Sequence, residues 1–221
     1  MRSELFTNGE YYHIYNRGVD RRITFQSEED LYRFLETLRV FNTSQDVNEP
    51  ISFNRRCLRT YLPEYQLVKI NQFTLMPNHF HLLVQQTKEG GISEFMHRLG
   101  TSFTQYINKK EGRTGHLFES RFKAKRINSQ TYLEHLTRYI HLNPLNLIGI
   151  DWKTNGITDK LQAIDFLKTY QWSSFYYYFN NIDIPLLDPS LLRHLFDSIV
   201  DHQQFLLDYQ PTQTVHKIHF P

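Results

Sequence analysis

Residues 67–86 constrain the fold more than any other stretch of the chain. LVKINQFTLM (67–76) and HFHLLVQQ (79–86) are apolar runs divided by Pro77-Asn78. That pattern predicts two strands joined by a tight turn into a hairpin. Side chains alternate across a strand, so His79 and His81 point to one face and Phe80 to the other. Two residues of strand rise cover about 6–7 Å. From that separation two imidazoles can tilt onto one ion, at bonds of about 2.0–2.1 Å for a zinc-like metal. Leu75 and Met76 before the pair and Leu82 to Val84 after it mark the strand as largely buried. A bare His-x-His is more often two hydrogen-bonded core histidines, and the pattern alone is weak.

The flanking segments extend the hairpin into a domain. YYHIYN (11–16) is aromatic and β-branched and predicts a strand ending at Arg17-Gly18. Ser27-Glu28-Glu29-Asp30 is a helix-start pattern before Leu31, Phe34, Leu35 and Leu38, spaced i, i+3, i+4, i+7. After Gly90-Gly91, Ser93 is the expected cap of a second helix, with apolar positions at Phe95, Met96, Leu99, Phe103, Tyr106 and Ile107, ended by Gly112 to Gly115. A strand is expected within Phe118–Ile127 and a helix over Ser129–His141, stopped near Asn143-Pro144. Asn42 to Pro50 reads as a loop, and Cys57 to Pro63 is ambiguous. The order strand, helix, strand, strand, helix, strand predicts an α+β, ferredoxin-like antiparallel sheet with both helices on one face. We expect this domain to span residues 5–128. Residues 129–221 are expected to form a mostly helical C-terminal extension, with a loop at Asp151 to Gly156.

Charge points to a partner. The net charge is only +2. His97 to Arg126 nevertheless holds eight Lys/Arg against Glu111 and Glu119, a net of +6, while Asn181 to Pro221 holds two basic residues against five Asp, a net of −3. A basic stretch beside aromatics suggests a polyanion, and a solvated basic surface is the plain alternative. Arg17, Lys109, Lys110, Arg113, Arg121, Lys123 and Lys125 are the candidate phosphate contacts, with Phe118 and Phe122 either stacking on bases or filling the core. The single cysteine, Cys57, excludes an intramolecular disulfide and a four-cysteine zinc site. The apolar runs are too short to span a bilayer. Met1 to Glu10 has no apolar signal core, so we expect a cytoplasmic protein.

Tyr106 lies on the apolar stripe of the second helix. A stripe packed on the sheet brings it toward the histidines or makes it an ordinary core residue. As chemistry, a phenol beside a metal is a nucleophile. Its free pKa near 10 keeps it protonated at pH 7, and a nearby cation favours the phenolate. A tyrosine, a two-histidine metal site and a basic strip together suggest phosphodiester transfer.

Several ordered motifs carry a resemblance. LMPNHFHLLV (75–84) closely resembles the HUH segment of the single-tyrosine transposases, the insertion-sequence and REP-associated enzymes. YHIYNRG (12–18) resembles that family's opening strand, TQYIN (104–108) its nucleophile helix, and GRTGHLFESRFK (112–123) the basic segment that follows. YIHLNP (139–144) and Trp172-Ser173-Ser174 resemble segments of the REP-associated branch. The resemblance implies the HUH endonuclease fold. It implies cleavage and joining of single-stranded DNA, often at hairpins, with Mg²⁺ or Mn²⁺, through a 5′-phosphotyrosine and a free 3′-hydroxyl. It makes Tyr106 the nucleophile, with Tyr132 or Tyr139 to take the role if a Tyr106→Phe variant still forms the adduct, and His79 and His81 metal ligands, in a monomer or homodimer. The insertion-sequence enzymes carry a glutamine ligand four residues after the tyrosine. Here that position is Lys110, whose ammonium has no lone pair to give. His13, Asn108 and Glu111 are alternatives for the third ligand. The different-class alternative is a hairpin-DNA-binding regulator without catalysis.

Overall fold

The computed structural model describes residues 5–44 and 65–211. Cys57, the segment around it and residues 212–221 lie outside the described residues. Four strands, β1 (Tyr11–Arg17), β2 (Val68–Met76), β3 (His79–Gln86) and β4 (Lys123–Arg126), form one antiparallel sheet in the order β2-β3-β1-β4. Helices α1 (Glu28–Val40) and α2 (Gly91–Glu111) pack on one face, giving the expected ferredoxin-like topology. Ser27 caps α1, and Asp30 returns the bond to the backbone N–H of Ser27, closing the anticipated capping box.

Helix α2 starts three residues earlier than a Ser93 cap would place it. Gly90, at φ +71°, is the cap, and the Gln86 side chain accepts from the N–H of Ile92 in the place of a serine. Gly91 is required by packing, because a Cβ there would sit 2.4 Å from the carbonyl oxygen of Leu67. At the other end Gly112, at φ +61°, ends the helix.

The C-terminal extension covers the second face of the sheet. It comprises α3 (Gln130–Leu142), a 3-10 segment (Asn143–Ile148), α4 (Trp152–Asn155), α5 (Lys160–Thr169), α6 (Ser174–Phe179), α7 (Ser190–Leu195) and α8 (Ile199–Leu207). The expected loop at Asp151 to Gly156 contains a helical turn instead, because Asp151 accepts from the N–H of Thr154 and caps α4. Helix α3 ends at Leu142, at the expected Asn143-Pro144 stop, and the chain continues as a 3-10 segment with Pro144 in its first turn, where its missing N–H costs nothing.

Strand parity sorts the two cores. Tyr12, Ile14, Phe73, Leu75, Phe80, Leu82 and Val84 pack with α1 and α2, whereas Leu83 packs with α3 and the later helices. The exposed edge of β2 is closed by Trp172-Ser173-Ser174. The N–H of Leu75 donates to Trp172 O (2.9 Å), and that of Phe73 to Ser174 Oγ (3.0 Å). Ser174 also meets His141, which is paired at 3.1 Å with His202, so HLNP begins inside a packed core. Phe118 and Phe122 are core residues as well. Among the described acidic residues of the tail, Asp188 and Asp208 pair with Lys69 and Lys160, away from the basic strip.

Candidate active site

The hairpin turn is pinned before the histidines begin. Pro77 O accepts from the N–H groups of Thr24 and Phe25, and Asn78 O from that of Gly18. The Asn78 side chain donates to Arg21 O, which turns Oδ1 toward His79 Nδ1 at 2.6 Å. An amide oxygen only accepts, so His79 carries its proton on Nδ1 and keeps the Nε2 lone pair. His81 is 1% exposed, and its Nδ1 shares a 2.9 Å hydrogen bond with Nε2 of buried His13. The rings of His79 and His81 lie 5.1 Å apart between centroids.

All three imidazoles are held neutral. Burial pushes His13 down to about 3, with Lys125 adding to it. Burial, then Arg17 and Lys153, lowers His79 to about 4. Burial, then the neighbouring histidines, holds His81 well below the usual range. Their lone pairs are therefore available to a cation at pH 7.

Face parity decides which tyrosine accompanies them. On β1, His13, Tyr15 and Arg17 share the histidine face, because Tyr15 pairs with His81 and Arg17 with His79. On β4, Lys123 pairs with Tyr15 and Lys125 with His13. Above them stands Tyr139 of α3. Its ring is perpendicular to that of His81 at 4.9 Å, and its hydroxyl is 3.5 Å from His81 Nε2. Tyr106 is on the other side of the sheet. It packs against Phe103 in the α1/α2 core and donates its hydroxyl proton to Asp30 Oδ1 at 2.9 Å. The expected approach of Tyr106 to the histidines is not met, because α2 covers the face of Phe80 and not that of His79. The Tyr139 signal was present in the sequence, in the YIHLNP segment, but helical periodicity marks it only as a core residue.

Burial pushes the Tyr139 phenol up, and the neighbouring Asn143 side chain pulls the other way. Lys153 of α4 places its Nζ 4.4 Å from the Tyr139 ring centroid. Lys153 was not singled out in the sequence.

The basic candidates divide. Arg17 and Lys123 line a cleft of about 30 Å³ with Tyr15, Asn16, His79, His81 and Glu119. Lys125 Nζ sits 4.5 Å from the Tyr132 ring. Asn16 holds the loop before β4 by donating to Ser120 O and Arg121 O. A groove of about 860 Å³ runs from Glu119 along α2 past Arg121. Lys110, by contrast, is paired with Asp30 at 2.6 Å, and Arg113 donates to Asn108 Oδ1 and His116 O. Lys109 is exposed near the end of α2. Of the third-ligand candidates, His13 touches His81. Glu111 is bound to Arg22 and Asn108 to Arg113 at the end of α2. No group of three His, Cys, Asp or Glu among the described residues is placed to hold a metal.

This geometry defines a class first: a ferredoxin-like sheet presenting paired histidines and a tyrosine beside a basic cleft. Comparison then narrows it. Residues 52–143 match the family described as "Transposase IS200 like". The fold matches the solved structure described as that of the "REP associates tyrosine transposase bound to a REP hairpin", with TM-score 0.51 and 15% identity over 84% of this chain and 88% of that one. No curated protein sequence matches the chain. The resemblance read from the motifs is thus borne out at the level of segment and fold: residues 52–143 match the IS200-like transposase family, and the chain's fold is similar to that of the REP-associated tyrosine transposase. No helix among the described residues is long and apolar enough to cross a membrane.

Proposed function

We propose that the protein cleaves and rejoins single-stranded DNA at hairpins, with Tyr139 as nucleophile and His79 and His81 as ligands of a divalent metal. One observation carries this reading: Tyr139 stands over His81 on the histidine face, while Tyr106 is bound to Asp30 on the opposite face. Counting from Tyr139 also removes a difficulty. The fourth residue after it is Asn143, whose amide oxygen can ligate, where counting from Tyr106 gave an ammonium.

The residues fit such an ion. Two neutral imidazoles offer Nε2 lone pairs, and Asn143 has a buried amide Nδ2 without a hydrogen-bond partner. Its Oδ1 accepts from Asn146 Nδ2 at 3.2 Å, so the flip that would offer the amide oxygen as a third donor also gives up that bond. Imidazole nitrogens suit Mn²⁺ better than Mg²⁺, which prefers oxygen ligands. For His81 to give Nε2, its proton sits on Nδ1 and is donated to His13. When bound, the ion would supply positive charge against the phosphoryl oxygens and favour loss of the phenolic proton.

Tyr139 Oη then forms the bond to phosphorus as the bond from phosphorus to the 3′ oxygen breaks. The phenolic proton is matched by the one gained at the 3′-hydroxyl, leaving a 5′-phosphotyrosine. Arg17 and Lys123 line the cleft and Lys125 follows on the same sheet face as phosphate contacts, and the groove that begins at Glu119 offers a path for the strand. The test is incubation with labelled single-stranded hairpins from the DNA flanking the gene, with Mn²⁺ or EDTA. A covalent adduct with Mn²⁺ that is lost in Tyr139→Phe supports the reading. An adduct that survives in Tyr139→Phe and disappears in Tyr106→Phe overturns the assignment. Hairpin binding without any adduct favours a regulator.

A further inference from the structure

We propose that Lys153 and Arg17 form an anion site that holds the scissile phosphodiester over Tyr139, one cation for each non-bridging oxygen. The proposal rests on the reading of Tyr139 as nucleophile. Lys153 is held in place by its neighbours: Asp151 caps α4, and buried Trp152 packs edge-on against Tyr209 at 5.2 Å and lies 6.2 Å from Tyr139. The ammonium is half-buried, 4.4 Å from the Tyr139 ring centroid. Arg17, at the end of β1 opposite His79 in register, lines the cleft and is near enough to Lys153 for its charge to oppose the ammonium, and both cations act on His79 and His81.

Neither cation has a carboxylate within 4 Å among the described residues, although Glu119 borders the cleft and Asp151 is two residues from Lys153. Several other cations that are not fully exposed are paired with carboxylates: Arg22 with Glu111, Lys69 with Asp188, Arg98 with Glu94 and Lys110 with Asp30. Two cations brought together beside neutral imidazoles lose hydration and repel each other. An anion between them offsets both costs. The charge that builds on the phosphoryl oxygens during attack makes the pair more useful there than in the ground state. Lys153 is absent from the basic strip because it comes from the extension, far along the chain.

The experiment uses the full chain carrying Tyr139→Phe, so that binding is measured without reaction. Single-stranded hairpin oligonucleotides are prepared with one linkage at a time replaced by a neutral methylphosphonate, and affinity is read by fluorescence anisotropy. Lys153→Met is expected to weaken binding of the all-phosphate strand about tenfold. It is expected to cost almost nothing when the linkage attacked by Tyr139, mapped from the adduct of the unsubstituted protein, is the neutral one. Arg17→Gln is expected to couple to that same linkage, and Lys153→Arg to retain most of the affinity. Unchanged affinity in Lys153→Met, or a loss equal for every methylphosphonate position, overturns the proposal. Should Lys153→Met melt early, the scan on the protein with Lys153 intact decides: a uniform effect along the strand overturns it, and a drop at the attacked linkage supports it. If Tyr139 forms no adduct, the nucleophile assignment falls by itself; coupling of Lys153 and Arg17 to one common linkage then still supports the anion site, and coupling to different linkages or to none overturns it.

Discussion

The two faces of the sheet are built from the same strands and do opposite things. The α1/α2 face is dry: Phe80, Leu82 and Val84 of β3 meet Phe34, Phe95 and Phe103, and the polar groups there close on one another, Asp30 with Lys110, Tyr106 and the α1 cap. The α3/α4 face carries His13, His79, His81, Arg17 and Tyr139, whose polar atoms are ordered but not mutually neutralised. A satisfied network adds stability, and an unneutralised one waits for a ligand. Tyrosine is on both faces, so residue type does not separate structure from chemistry; the partner of the hydroxyl does.

The sharpest way to break this contrast is to remove each hydroxyl. Tyr139→Phe is expected to abolish covalent adduct formation, at least a thousandfold, with hairpin affinity changed less than about threefold, as read on denaturing gels and by anisotropy. Tyr106→Phe is expected to leave adduct formation within about threefold of the parent. Reversal of these two results would place the chemistry on the dry face.

The proposed metal ligands come next. His79→Ala is expected to lower Mn²⁺ affinity at least tenfold, measured by calorimetry, with little loss of stability, since His79 is partly exposed. His81→Ala is expected to lose metal binding and also to destabilise the fold by about 1–3 kcal/mol, because it leaves His13 buried without its partner. Equal melting temperatures for the two variants would contradict the buried pair.

A smaller effect tests the dry face. Burial pulls the Asp30 carboxyl up, but hydrogen bonds from Lys110 and Tyr106 outweigh it and hold it below its ordinary value. A carboxyl with a depressed folded pKa stabilises above its unfolded pKa of about 3.9, and that contribution is lost as pH falls through the folded value. Asp30→Asn is therefore expected to cost about 2 kcal/mol at pH 7 by thermal melts. The difference from the parent should shrink toward pH 3, and adduct formation should be retained. A penalty that does not change with pH would mean that the charge on Asp30 contributes nothing.

The smallest effect concerns the basic strip. Replacing Arg17, Lys123 and Lys125 by alanine is expected to flatten the slope of log K against log salt by about 2 units, at about 0.7 per single-strand phosphate contact. Lys110→Ala is expected to leave the slope unchanged, because its charge is already spent on Asp30. A drop in slope for Lys110→Ala would extend the DNA surface to the dry face.

Periodicity and turn chemistry determined much of this molecule in advance. The capping box at Ser27, the Pro77-Asn78 hairpin and the parity of His79 and His81 follow from local rules, and local rules govern them in the fold. The ferredoxin-like order followed from counting elements. The pairing of Tyr139 with the histidines, the spending of Lys110 on Asp30 and the arrival of Lys153 were not legible. Tyr106 and Tyr139 both lie on apolar helical stripes, and a stripe says that a residue is inward without saying which sheet face it meets. That choice belongs to the topology. Both helices of the ferredoxin-like unit lie on the Phe80 side, which leaves the His79 side to be covered by α3 and α4, elements 58 and 72 residues beyond His81 at Tyr139 and Lys153. The sequence by itself determined that two imidazoles share a face; only the tertiary structure, by deciding which helix lies across that face, selected the hydroxyl and the ammonium that meet them.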